Sequence, residues 1–119
     1  MRQAFVHDAV VIMAADGDVR APGAAITVAL CGHWEHEPPC PLAPHHTDAQ
    51  REGDQIRLRV LFATEPVTEA EVRRRIEAAL TQPSLTGPDG RTTSWQLRST
   101  QSGLLRPDEA QHAEQLIHT

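Results

Sequence analysis

The sequence predicts an α+β domain in which a mostly antiparallel, four-stranded sheet carries two helices on one face, in the order β-β-β-α-β-α. Three observations support this class: strict alternation over residues 55–63, a well-marked helix over 68–81, and turn residues between short apolar runs. The 119 residues match the size of one domain. We therefore treat 1–119 as one unit, with a loop rich in Cys, His and Pro at about 34–54.

Two strands are predicted in the first third of the chain. Residues 4–14 are rich in β-formers and apolar on both parities, which is typical of a central strand. A turn-rich stretch follows, and residues 24–33 then alternate apolar and small or polar side chains. We expect a second, half-buried strand there. Side chains alternate across a strand, so Cys31 and His33 would project from the same side.

The middle of the chain gives the clearest signals. Residues 55–63 alternate between an apolar row and a row that begins with two arginines, which predicts a strand with one polar face. A helix over 68–81 follows, with Thr68 and Glu71 in the pattern of a capping box. Pro83 ends it, because proline lacks the N–H that would continue the helix.

The last third predicts a fourth strand and a second helix. The run 92–99 around Trp95 follows a turn sequence that contains glycine and proline. Pro107 suits the first turn of a helix that carries a modest apolar stripe towards the C-terminus. Aromatic residues are only 3% of the chain, so we expect an aliphatic core.

Charge disfavours a nucleic-acid-binding function. The net charge is −5, and no basic stripe with aromatic platforms is present. The arginines at 73–75 fall inside the predicted helix between Glu71 and Glu77, so we interpret them as a solvated helix face. We expect no nucleic-acid partner.

A membrane location is also disfavoured, because no segment approaches the roughly 20 apolar residues that span a bilayer. The apolar run 9–15 is short and follows His7 and Asp8, unlike the core of a signal peptide. We expect a cytoplasmic protein. In that compartment Cys31 and Cys40 are thiols or metal ligands rather than a disulfide.

The chemically unusual segment runs from Cys31 to His46. Mixed thiolate and imidazole ligands suit Zn²⁺ better than Ca²⁺ or Mg²⁺, so we predict a zinc site. Its six candidate ligands are Cys31, His33, His36, Cys40, His45 and His46. The four prolines of the segment would reduce the entropy lost when such ligands converge.

Structural zinc is usually held by two closely spaced pairs of ligands. Cys31 with His33 would form one pair on the end of the predicted strand. Cys40 with His45 or His46 would form the other, and the loop would allow one imidazole to replace its neighbour. This spacing contains no Cys-x-x-Cys pair and is not that of a known zinc finger.

Several alternatives stay open at this level. His36, Glu35 or Glu37 could substitute as a ligand, and an open coordination position would allow catalysis with one of these glutamates as general base. A Cys40–His45 nucleophilic pair or a redox role is a further alternative. The main rival is a metal-free interaction module that uses the loop as a partner surface, or a homodimer formed through the polar sheet face near Arg57 and Arg59. No substrate or reaction follows from the sequence.

Overall fold

The computed structural model describes residues 1–31 and 43–118, with only the backbone of Cys31. It has an α+β fold with an antiparallel, curled sheet, as predicted. The strands of this part of the chain are β1 Gln3–Met13, β2 His45–Glu52, β3 Gln55–Thr64, β4 Ser84–Thr86 and β5 Thr92–Gly103. The helices are α1 Ala21–Cys31, α2 Glu69–Thr81 and α3 Ala110–Ile117. Five strands and three helices thus replace the predicted four and two.

The strands lie in the order β2-β3-β1-β5-β4, and every neighbouring pair is antiparallel. The elements β1-α1-β2-β3-α2-β5 follow the split βαβ, or ferredoxin-like, arrangement. The short β4 forms a hairpin with β5, and α3 follows that strand. The two long central strands, β1 and β3, therefore position everything else.

The predicted strand over 24–33 is wrong, because most of this segment belongs to α1. Ala25, Ile26 and Leu30 are buried while Val28 is only half-buried, which is a helical rather than an alternating pattern. Pro22 lies in the first turn, where proline is tolerated. The β-branched residues of this stretch favoured a strand locally, but packing of its apolar face into the core overrides that preference.

The predicted loop at about 34–54 is also partly wrong, because β2 begins at His45. The strand is polar on both parities, so it lacks the apolar alternation that would have predicted it. A two-residue turn, Gly53-Asp54, joins it to β3, and Gly53 has φ +63°. Such turns require positive φ, which glycine adopts without a steric penalty.

The core lies mainly between α1, α2 and one face of the sheet. It contains alternate residues of β1 and β3, including Val11 and Phe62, with Ile26 and Ile76 from the two helices. We call this covered side the helical face. Trp95 of β5 completes it and donates its indole N–H to the Leu80 carbonyl at 3.0 Å.

The prediction that the helices share one face fails for α3, which packs on the opposite side of the sheet. There Ala113 and Leu116 contact Val6, Leu61 and Ala63 in a second, smaller core. The cause is visible in β3, whose second row begins with Arg57 and Arg59 but continues with Leu61 and Ala63. Only the end of this row that contains Leu61 and Ala63 is apolar, and α3 buries that end. We call this side the open face.

The remaining predicted elements are confirmed with local differences. Strand 55–63 lies within β3, and 92–99 lies within β5. Helix α2 ends before Pro83 and buries one apolar stripe, formed by Val72, Ile76, Ala79 and Leu80. The capping box of α2 is absent, since Thr68 ends a 3-10 turn and its side chain makes no capping hydrogen bond. Pro107 opens a 3-10 turn that leads into α3.

His7 is a polar side chain inside this core, only 1% exposed. Its Nδ1 accepts a hydrogen bond from Arg73 Nη1 at 3.1 Å, and its Nε2–H donates to Thr100 Oγ1 at 2.5 Å. Burial, reinforced by Arg73, lowers the pKa of His7 below its ordinary value of 6.5, against the opposing effects of Glu77 and Asp8. The neutral imidazole is therefore the form that fits this site.

This site predicts acid sensitivity. Because its folded pKa is lowered, His7 binds protons more readily in the unfolded state, so it removes stability as pH falls below 6.5. Chemical denaturation should show that the His7→Gln variant loses less unfolding free energy between neutral pH and mild acid than the wild type. The exposed His118 offers a matched control, and His118→Gln should behave like wild type. Equal pH slopes for His7→Gln and wild type would contradict the assignment.

Candidate functional site

A groove between α1 and β2 contains His45, the first histidine of the Cys31–His46 segment whose side chain is described. Its lining includes Gly23, Thr27, His45 and Thr47, and its volume is about 410 Å³. His45 Nε2 lies 2.9 Å from Thr27 Oγ1, and His45 Nδ1 lies 3.0 Å from the Ala43 carbonyl oxygen. The second half of α1 and the start of β2 are thus joined through one imidazole.

These contacts define the tautomer of a neutral His45. A carbonyl only accepts, so Nδ1 carries the proton and donates to Ala43, and Nε2 carries the lone pair. Thr27 then donates its hydroxyl proton to Nε2. This hydroxyl has a second acceptor, the Gly23 carbonyl at 3.2 Å. Thr27 can therefore turn away from Nε2 without leaving its own proton unsatisfied.

One further polar atom lies beside His45. The hydroxyl oxygen of Thr47 is buried and has no hydrogen-bond partner among the described residues. Thr47 shares the helical face of β2 with His45, because the two residues are two apart on the strand. Polar atoms of this kind are normally satisfied by protein or water. The groove therefore contains an acceptor besides the His45 imidazole.

His46 lies on the opposite side of the sheet. Its Nε2 is 3.2 Å from Asp48 Oδ1, and its ring centroid is 4.8 Å from that of His112 on α3. The prediction that His45 and His46 lie on one loop and can replace each other is therefore wrong. Consecutive strand residues point to opposite faces, so the two imidazoles are separated by the sheet itself.

Of the remaining candidate ligands, the structure describes only the backbone of Cys31. Cys31 is the last residue of α1, so it does not share a strand face with His33. His33, His36 and Cys40 lie outside the described residues, as does the side chain of Cys31. Among the described side chains, no three from His, Cys, Asp and Glu form a group suited to a metal ion. His45 and His46 are the only two of the six ligands with described side chains.

The open face carries a charged network that sequence reasoning did not detect. Arg59 donates to Glu109 Oε1 and Oε2 at 2.7 and 2.8 Å, to Asp8 Oδ1 at 3.1 Å, and to the Leu104 carbonyl at 2.6 Å. The fork of the guanidinium thus fastens α3 and the end of β5 to the centre of the sheet. Next to it the curled sheet and α3 enclose a polar cavity of about 580 Å³.

Arg59 and Glu109 each shift the pKa of the other. The Arg59 hydrogen bonds lower the pKa of Glu109 from 4.5 to about 2, and the pKa of Arg59 is raised chiefly by its hydrogen bond to Glu109. The Arg59 side chain is only 16% exposed. Its donors are therefore used within the chain, which weakens its suitability for the dimer face suggested by the sequence. Arg57, in contrast, is largely exposed and pairs with Glu52 at 3.3 Å.

The arginines at 73–75 divide between two roles. Arg74 and Arg75 bind Glu71 on the helix surface, as the solvated-face interpretation predicts. Arg73 instead points inward, where it binds Glu69, the Val6 carbonyl and His7. The sequence alone gave no signal for this difference, because the acceptors on β1 lie more than sixty residues away.

Comparison with known proteins adds no relative. No protein-family model, no curated protein and no solved structure matches the chain. Within the described residues, none of the helices is long and apolar enough to cross a membrane.

The Arg59–Glu109 contact predicts a pH-dependent contribution to stability. A lowered carboxyl pKa stabilises the fold above about pH 4.5, and this contribution is lost as pH falls through about 2. Glu109→Gln should therefore lower the unfolding free energy by about 1–3 kcal/mol at neutral pH. The deficit relative to wild type should shrink towards pH 2. Glu114→Gln, an exposed change on the same helix, is the control and should have little effect; an equal loss in both variants would contradict the role of Glu109.

Proposed function

We propose that the chain is a small zinc-binding protein whose metal fastens the connection between α1 and β2. The ligands would come from Cys31 and His45 at the two ends of this connection and from the ligand-bearing residues between them, His33, His36 and Cys40. His46 is left out of the set, because it faces the opposite side of β2. This ligand set is narrower than the one expected from the sequence.

The observation that carries the proposal is the hydrogen bonding of His45. Imidazole ligands of zinc characteristically donate their other N–H to a carbonyl or carboxylate, which fixes the tautomer and the ring orientation. The bond from His45 Nδ1 to Ala43 supports this arrangement and leaves the lone pair on Nε2. Thr27 can move its proton to the Gly23 carbonyl when Nε2 binds an ion.

The position of the groove provides the second argument. The imidazole of His45 contacts Thr27, and Cys31 ends the same helix one turn later. The two ends of the Cys/His-rich connection therefore leave the fold from neighbouring places. Ligands from two separate pieces of backbone around one ion are typical of structural zinc sites. A structural role follows more directly than a catalytic one, since the ion would close a chain segment.

Zinc analysis and titration test the proposal directly. Protein purified without a histidine tag should contain one zinc per chain, and a chelator should lower its unfolding free energy. Competition titration with a chromophoric chelator should show zinc binding by His45→Ala to be weakened at least about tenfold, because the variant loses an imidazole ligand that His46, on the opposite face of β2, cannot replace. Cys31→Ser and Cys40→Ser should be at least as damaging. Affinity should fall steeply in mild acid, where protons compete for thiolate and imidazole.

His46→Ala is the matched control, since it removes the neighbouring imidazole from the other side of the sheet. It should change zinc affinity by no more than about twofold. Circular dichroism of each variant separates lost binding from lost folding. Metal-free protein whose stability is unaffected by chelator would contradict the proposal and favour a metal-free interaction module. Equal losses in His45→Ala and His46→Ala would show that the groove is not the site.

A further inference from the structure

The outer edge of β2 is open in the described structure. Within residues 1–31 and 43–118, β2 pairs with β3 on one side and with no strand on the other. It is eight residues long, whereas β4 at the opposite edge has three. An edge of this length presents a row of backbone donors and acceptors that can pair with another strand.

The register of the hairpin identifies the residues whose backbone faces outward. Glu52 pairs with Gln55 across the two-residue turn, and Ala63 N–H donates to the Pro44 carbonyl at 3.0 Å. In an antiparallel ladder these hydrogen-bonded pairs recur at every second residue. Even-numbered residues of β2 therefore bond to β3. The outward groups belong to the odd-numbered residues His45, Thr47, Ala49 and Arg51.

The β2 strands of two copies could pair antiparallel in several registers, and these differ in which charged side chains lie opposite each other. A two-fold axis at Asp48 places this carboxylate opposite its own copy, and an axis at Gln50 places Asp48 opposite Glu52. Like charges at directly opposed positions are destabilising. An axis at Thr47 avoids both contacts but pairs fewer residues of the strand.

An axis at Ala49 avoids every like-charge contact and uses the longest stretch of strand. It places Glu52 opposite His46 of the second copy and Asp48 opposite Gln50 of the second copy, all on the open face. These are non-hydrogen-bonded positions, where opposed side chains approach most closely. The backbone pairs are then Ala49 with Ala49 and Thr47 with Arg51, whose N–H and C=O groups face outward on both copies.

We propose that the β2 edge binds β2 of a second copy of this chain, antiparallel and centred on Ala49. The product is a two-fold symmetric dimer in which the two sheets continue into each other. The residue on the axis permits this approach, because Ala49 has only a methyl side chain. This dimer differs from the one suggested by the sequence, which used the face around Arg57 and Arg59.

Substitutions at Gln50 give a matched pair that tests the register. Gln50 is exposed and lies opposite Arg57 within the chain. Gln50→Glu would face Asp48 of the second copy and should weaken the dimer by about 2–30-fold, because two such contacts occur per dimer. Gln50→Lys should strengthen it. Within one chain residue 50 lies opposite Arg57, so Gln50→Glu should stabilise the monomer and Gln50→Lys should destabilise it. The effect of each variant on monomer stability should therefore be opposite to its effect on dimer affinity.

Ala49→Pro tests the edge itself. The Ala49 N–H points away from β3, so proline at this position spares the intramolecular ladder while it removes two donors from the dimer. Dimer affinity should fall at least about tenfold with an unchanged circular dichroism spectrum. Should this variant fail to fold, the two Gln50 variants decide the matter.

Sedimentation equilibrium of the full chain over a wide concentration range supplies the measurement. Wild type should approach twice the chain mass of 13.1 kDa, both with and without chelator, since this interface uses no metal ligand. A mass of 13.1 kDa at every concentration would overturn the proposal. So would a dimer that Ala49→Pro leaves intact, or one that Gln50→Glu and Gln50→Lys change in the same direction.

Discussion

The antiparallel pairing of β1 with β3 is the constraint on which the rest of the structure depends. Its register runs from Gln3 opposite Thr64 to Ile12 opposite Gln55 and assigns each side chain to one face. On the helical face, from Phe5 opposite Phe62 to Val11 opposite Ile56, the paired residues are apolar or, like His7, fully hydrogen-bonded. On the open face the pairs Ala4–Ala63 and Val6–Leu61 are apolar, whereas the next pair, Asp8–Arg59, is charged. This change decides where α3 can pack and why Arg59 is needed to hold its first turn.

The sequence predicted the elements whose local pattern agrees with their environment. Strand β3 has one buried face and helix α2 has one buried stripe, so their periodicities were unambiguous. The failures have the opposite cause. Helix α1 is apolar on most sides, so its periodicity could not separate helix from strand. Strand β2 has no apolar row, because its backbone pairing with β3 rather than side-chain burial holds it in place.

The candidate site was predictable in composition but not in geometry. The clustering of Cys and His is visible in the sequence, whereas the division of His45 from His46 depends on the strand that the pattern concealed. The partners of these residues lie far along the chain: Thr27 precedes His45 by 18 residues, and His112 follows His46 by 66. Local periodicity contains no information about such contacts, which arise from the register of β2 and the docking of α3.

Strand β2 connects the two proposals, because it is a long strand with little hydrophobic anchoring. The side chains of His45, Thr47 and Ala49 face the helices but are only half-buried, and the side chains of the other row are exposed. A strand with little buried apolar area contributes little free energy of its own. A ligand that binds only the folded form stabilises it by mass action, whether an ion at His45 or a second strand at the outer edge. Because these two positions use different groups of β2, occupation of either one adds to the stability of the folded strand without competing with the other.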